Sequence, residues 1–145
     1  MDFQAWMKIL ATLSCAIFAG AAIYVNLVEH PARMSCGISL ALKEWAPSYK
    51  RGAAMQAPLA VLGFVFAVSA WFAGGGLWWL TGGVFLGLVV PYTLIVIMPT
   101  NKRLLAFSLD GESNETQHLL DRWNALHAVR SILSAAALVI FLLNL

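Results

Sequence analysis

Charge is what this sequence has least of. Only 11% of its 145 residues are charged, seven acidic and nine basic, whereas 61% are hydrophobic. A soluble domain usually carries about 25% charged residues, so there is too little charge here for a water-exposed surface, and lipid is the expected solvent. The net charge is only +2. Its basic residues do not cluster with aromatics as a nucleic-acid groove requires, which excludes nucleic acid as an expected partner. Cysteine is scarce too: Cys15 lies inside an apolar run and Cys36 follows it, with no CxxC pair or zinc-type spacing. Two inert thiols are a simpler reading than a disulfide or redox pair, because buried free cysteine behaves as a small hydrophobe. Motifs of soluble catalysis are missing as well, with no GxSxG, GxxxxGK or HExxH. The apolar runs also lack the repeated polar stripe of a channel.

Long apolar runs are what the sequence has instead. A spanning helix needs about 20 mostly apolar residues. The first run, 6–26, carries only Lys8 as a charge. Its length exceeds the roughly 7–15 apolar residues of a signal peptide, so it reads as a retained helix. The second, 53–72, follows Lys50-Arg51 and ends at Gly74-Gly75-Gly76, a short turn that makes spans two and three antiparallel neighbours. The third, 77–98, opens with Trp78-Trp79, as an interfacial aromatic belt does. Its Gly83 and Gly87 form a GxxxG, which permits close packing either within the chain or between copies in a homo-oligomer. Pro91 leaves the carbonyl of Gly87 without its helical partner, so a kink is expected there.

The fourth run, 126–145, is the informative one. Starting it at Ser131 leaves 15 residues. At about 1.5 Å each these reach about 22 Å, short of a hydrocarbon core of about 30 Å. His127 and Arg130 must therefore enter the membrane edge with it. The helix is expected to begin earlier still, near 115, capped by Asn114 with Gln117 three residues on. The expected architecture is an all-α antiparallel four-helix transmembrane bundle, a single domain over 1–145. A short interfacial amphipathic helix joins spans one and two, where Ile38, Leu42 and Trp45 recur at helical spacing beside Lys43, Glu44 and Lys50. The Phe107–Gln117 stretch, with Asp110-Gly111, reads as a solvated turn.

Counting charges orients the bundle. Arg33, Lys43, Lys50, Arg51, Lys102, Arg103, Arg122 and Arg130 share one side, and Lys8 alone lies towards the other. The positive-inside rule makes the first side cytoplasmic and puts both termini outside. The sequon-like Asn114-Glu115-Thr116 is then a chance match.

Polar groups concentrate at that same end. Span one exits with Tyr24, Asn26, Glu29, His30 and Pro31; Asn26, Glu29 and His30 stand at i, i+3 and i+4 and fall on one helix face. Span three exits with Pro99-Thr100-Asn101-Lys102, and span four enters with Trp123, Asn124, His127 and Arg130. At about 100° per residue, Trp123, His127 and Arg130 lie within roughly 60° of one another. Ionisable groups at membrane depth normally face the bundle interior and are paired. Glu29 is the only acidic residue at the mouth of span one, so a Glu29–Arg130 ion pair is expected, with fixing of helix register as its plainest role. The plain alternative for His30 is an interfacial histidine meeting lipid phosphate. His118, about 180° from His127 on the same wheel, reads as solvated.

His30-Pro31 after span one, Pro99-Thr100-Asn101-Lys102-Arg103-Leu104 after span three and Trp123-x3-His127-x2-Arg130 entering span four together resemble the anthrone oxygenase-like family. Its members are small four-helix membrane proteins, and the resemblance covers nearly the whole chain. It implies oxidation of an anthrone-type aromatic to an anthraquinone with molecular oxygen and no cofactor, in an integral membrane protein of the bacterial inner membrane. Such chemistry begins with loss of a proton, for which His127 or His30 is the suitable base. Arg130, Asn101 and Lys102 suit stabilisation of the anion, and Trp123 and Tyr24 suit stacking on a flat ring. Glu29 completes the expected catalytic set and Asn26 the substrate-binding set. Membrane lipid and a hydrophobic aromatic small molecule are the expected partners. Two other classes stay open: a metal or haem site through His30, His127 and Glu29, without an HxxxH pair on one span, and a non-enzymatic lipid- or small-molecule-binding or assembly subunit.

Overall fold

The computed structural model describes residues 2–106 and 114–145. The described residues form four long helices, each apolar and long enough to cross a membrane: α1 (Phe3–Ser35), α2 (Ile38–Gly75), α3 (Leu77–Ala106) and α4 (Asn114–Leu143). At about 1.5 Å per residue α4 is about 45 Å long, so its first turns reach beyond a hydrocarbon core of about 30 Å. Most of the expected solvated turn, 107–113, lies outside the described residues.

The turns are set by glycines. Gly37, between α1 and α2, has φ +91°, a conformation that costs glycine little and other residues much. At the other end, Gly74 and Gly76 both have φ +89° and fold α3 back beside α2. The N-terminus, this turn and the C-terminus share one end: Gln4 Nε2 donates to Ala73 O at 2.7 Å, and Lys8 Nζ donates to Asn144 O at 3.3 Å. Each helix packs against its chain neighbours, α4 closes the ring against α1, and the diagonal pairs touch sparsely. That is the expected antiparallel bundle.

In lipid the apolar effect does not drive helices together, so close packing by small residues and polar links must. The core divides accordingly. Towards the termini it is alanine-rich, with Ala11, Ala22, Ala60, Ala67 and Ala137 beside Phe18 and a stacked pair, Trp79 and Phe141, 4.9 Å apart. Towards the other end Trp45, Ile97, Leu104, Leu120 and Trp123 form a second cluster. A layer of polar side chains lies between them. Large apolar side chains such as Leu13, Ile17, Leu62, Ile95, Ile132 and Val139 are exposed around the outside, as lipid-facing positions should be.

One local feature differs from expectation and two refine it. The helix expected between Ser35 and Tyr49 exists, but it is continuous with span two and not a separate surface element. Its Leu42 and Trp45 are buried in the bundle, because α4 is long enough to pack beside it. The GxxxG of α3 is used within the chain: a Cβ on Gly83 would lie 2.9 Å from that of Ala67, and one on Gly87 would lie 2.9 Å from the Phe64 ring. Finally, π turns interrupt α1 at Val25–Glu29 and α3 at Thr93–Ile97, the latter just after Pro91.

Candidate functional site

The π turn in α1 redirects the polar residues that leave it. With i→i+5 bonding, fewer degrees separate successive side chains than in an α-helix. Asn26, Glu29 and His30 therefore do not act as one face: Asn26 and His30 both turn to α4, and Glu29 parts from them. Asn26 turns to α4, Glu29 to α2, and His30 packs on the Trp123 ring at 5.8 Å.

Asn26 is the centre of a directed network. Its Nδ2 donates to the Asn124 carbonyl at 3.0 Å and to Asn124 Oδ1 at 2.7 Å. A backbone carbonyl only accepts, so Asn26 Oδ1 must be the atom that faces His127 and Ser131. Ser131 Oγ donates to that oxygen at 2.6 Å, and His127 Nδ1 lies 3.0 Å from it. An amide oxygen also only accepts. His127 in its neutral form therefore carries its proton on Nδ1, which leaves Nε2 as a bare nitrogen with its lone pair free.

Arg130, one turn further along α4, donates from Nη2 to Gln56 Oε1 at 2.7 Å and lies over the Phe18 ring at 5.4 Å. No carboxylate pairs with it among the described residues. The expected Glu29–Arg130 ion pair is thus not formed. Glu29 is bonded by Arg33, four residues on along its own helix, and by Ser48 of α2. A second carboxylate, Glu44, meets Arg33 Nε at 2.7 Å. The local partner wins because the i, i+4 neighbour is already within reach.

A cavity of about 740 Å³ opens between α1, α2 and α4 beside these groups. Its size falls within the roughly 300–1,000 Å³ of small-molecule sites. His127, Arg130 and Gln56 line its inner part, Trp123 and Tyr49 supply aromatic wall, and Glu29, Ser48 and Arg51 line its polar end. Trp45 stacks on Tyr49 at 5.1 Å and meets Trp123 edge-on at 5.7 Å, which holds that wall in place.

The structure brings together at this cavity Tyr24, Glu29, Trp123, His127 and Arg130, with Asn26 behind His127. It separates the others. Lys102 is exposed. Asn101 is buried with both amide atoms unpartnered among the described residues, away from the cavity lining. His30 is buried as well, so it does not meet lipid phosphate, and its two ring nitrogens lack partners among the described residues. His118 is exposed, as expected. Cys15 is buried and Cys36 exposed, both free. No group of three or more His, Cys, Asp or Glu stands close enough to hold a metal among the described residues. Sequence reasoning placed Asn124 in the polar group entering span four without giving it a partner, and it missed Gln56, Arg33, Ser48 and Ser131 as site residues. Only Arg33 had a visible signal, its i+4 spacing from Glu29.

Residues 45–140 match the family described as anthrone oxygenase. Over 119 residues the chain is 29% identical to the anthrone oxygenase ptaC of Pestalotiopsis fici, covering 69% of this chain and 81% of that one. Over 140 residues it is 26% identical to an anthrone oxygenase of Claviceps purpurea, covering 88% of this chain and 78% of that one. No solved structure matches. The chain belongs to the anthrone oxygenase family, as a bundle of four membrane-spanning helices.

Proposed function

We propose that this protein oxidises a hydrophobic anthrone-type or phenolic aromatic with molecular oxygen in the cavity between α1, α2 and α4. One observation carries this reading: a histidine with a bare ring nitrogen and a guanidinium that has no counter-ion among the described residues line the same cavity. An uncompensated cation at membrane depth is costly. That cost is offset if the ligand itself becomes an anion beside it.

The chemistry follows for anthrone. His127 Nε2 takes a proton from the methylene carbon opposite the carbonyl, and the charge moves to the carbonyl oxygen, facing Arg130. The electron-rich anion reduces oxygen and forms a C–O bond as a hydroperoxide, protonated by the imidazolium. The O–O bond then breaks as the remaining C–H proton leaves, giving the second carbonyl and one water. Anthrone plus O2 thus becomes anthraquinone plus water, and the substrate anion supplies the electrons without a resident cofactor. Trp123 and Tyr49 offer flat faces for the rings. The positive-inside count supports a cytoplasmic position for the polar end of this cavity, with both termini outside, and an inner-membrane location fits that orientation.

The test is anthrone oxidation by purified protein in lipid nanodiscs. His127→Gln keeps shape and polarity but lacks the base, and a loss of about 10²–10⁴-fold in kcat is expected. Unchanged turnover would remove His127 from the reaction. If the wild-type protein binds anthraquinone but oxidises no anthrone or phenol, a carrier or binding role replaces the enzymatic one.

A further inference from the structure

Gly52 sits in the middle of α2 with no structural reason to be glycine. Alanine is the better helix former, so glycine inside a helix is normally retained where a neighbour needs the space. That holds at the glycines packed between helices, whereas the exposed Gly20 has open space around it. A Cβ on Gly63 would lie 2.5 Å from Leu86 Cδ2, and one on Gly82 would lie 2.5 Å from Phe141 Cε1. At Gly52 an added Cβ meets only Gln56 Nε2, at 3.9 Å. The space it faces is the cavity itself.

Its position is informative. Glu44, Ser48, Gly52 and Gln56 recur every fourth residue and all line the cavity, opposite Ala21, Val25 and Glu29 of α1. From Ser48 to Gln56 this stripe runs about 12 Å at about 1.5 Å per residue. Gly52 is its midpoint, between the charged outer end and the Gln56–Arg130 pair. Tyr24 and Met55 flank the same opening and are 54% and 47% exposed, so the cavity reaches the outer face of the bundle between α1 and α2.

Resting on the reading under Proposed function, we infer that Gly52 determines specificity for substrate size. By withholding a side chain between α1 and α2 it keeps open a side passage from the lipid phase, wide enough for a flat molecule of three fused rings to reach Arg130 and His127. A side chain at this position narrows the passage from the helix α2 side. Smaller aromatics still pass.

The experiment measures binding of two quinones, anthraquinone with three rings and 1,4-naphthoquinone with two, to nanodisc-embedded protein, alongside anthrone turnover. Gly52→Leu is expected to weaken anthraquinone binding at least about 10-fold, with Gly52→Ala intermediate and naphthoquinone changed less than about 3-fold. Gly20→Leu, at an exposed position with open space around it, controls for added bulk in a helix and leaves both affinities unchanged. Equal binding of anthraquinone by Gly52→Leu and wild type overturns the inference, as does an equal loss for both quinones. Should the leucine variant not fold, the alanine variant decides by the same size dependence. Because binding is read apart from turnover, a wild-type protein that binds with this size dependence but oxidises nothing sinks the catalytic reading and leaves the role of Gly52 standing.

Discussion

Gln56→Glu gives the sharpest test of whether the charge on Arg130 is there for a ligand. The substitution is nearly isosteric, and the oxygen that accepts from Arg130 at 2.7 Å becomes a carboxylate oxygen. Two unit charges about 4 Å apart attract by about 4 kcal/mol at an effective dielectric constant of about 20. A carboxylate there satisfies Arg130 permanently and competes with the anion formed from substrate. At about 1.4 kcal/mol per decade, full loss of that attraction corresponds to about three decades in rate. Removing one oxyanion donor from an active site typically costs about 10²–10³-fold, which is the drop expected in kcat for anthrone oxidation. Stability should not fall with it. Arg130 already carries its desolvation cost, and pairing offsets that of the new carboxylate. The assay is the appearance of anthraquinone absorbance at fixed protein level, with a thermal melt of the same sample. A variant that melts no earlier and turns over within about threefold of wild type would refute the idea that the Arg130 charge serves the reaction.

Further predictions follow from the same geometry. Asn26→Leu removes the acceptor that fixes the His127 proton on Nδ1, so 15N NMR of labelled histidine should show the other tautomer appearing and kcat should fall about 10-fold or more; Asn26→Asp keeps the acceptor and the tautomer, and an unaltered tautomer in the leucine variant would show that Asn26 does not set it. Arg33→Ala strips Glu29 and Glu44 of their shared cation. Because Glu44 is 47% exposed, the loss should be about 1–3 kcal/mol, below that of a fully buried pair, read as a lower melting temperature. Cys36 is exposed at the cavity end of the bundle and Cys15 is buried. A membrane-impermeant maleimide should therefore label inside-out vesicles and spare right-side-out cells; the reverse pattern would invert the proposed orientation.

Much of the scaffold is legible in the apolar runs alone. Lipid tolerates few charges, so four long runs whose only charged residues are Lys8 near the start of the first and Arg130 near the start of the fourth leave little freedom in where helices cross. Gly74-Gly75-Gly76 signals its own turn, and the length of the last run forces His127 and Arg130 into the bundle. The partners of those two residues were not legible. Glu29 was the obvious ion-pair partner for Arg130 by charge, but Arg33 stands one turn away on the same helix and takes it. Gln56, an uncharged residue 74 positions from Arg130, carries no sequence signal that it meets a guanidinium. The π turn that sends Asn26 to His127 and Glu29 to Arg33 is equally silent, because it depends on how α1 packs against two neighbours at once.

The sequence by itself determined which segments lie in lipid, which end of the bundle carries its polar groups, and that an imidazole and a guanidinium enter the membrane edge. These are properties of composition and length, which each segment expresses alone. Tertiary structure alone decided that Arg130 meets Gln56 and no carboxylate among the described residues, which nitrogen of His127 is bare, and that Gly52 opens on a cavity. Each of those depends on directed bonds and empty space between residues tens of positions apart, and no local pattern encodes the direction of a hydrogen bond across a helix pair.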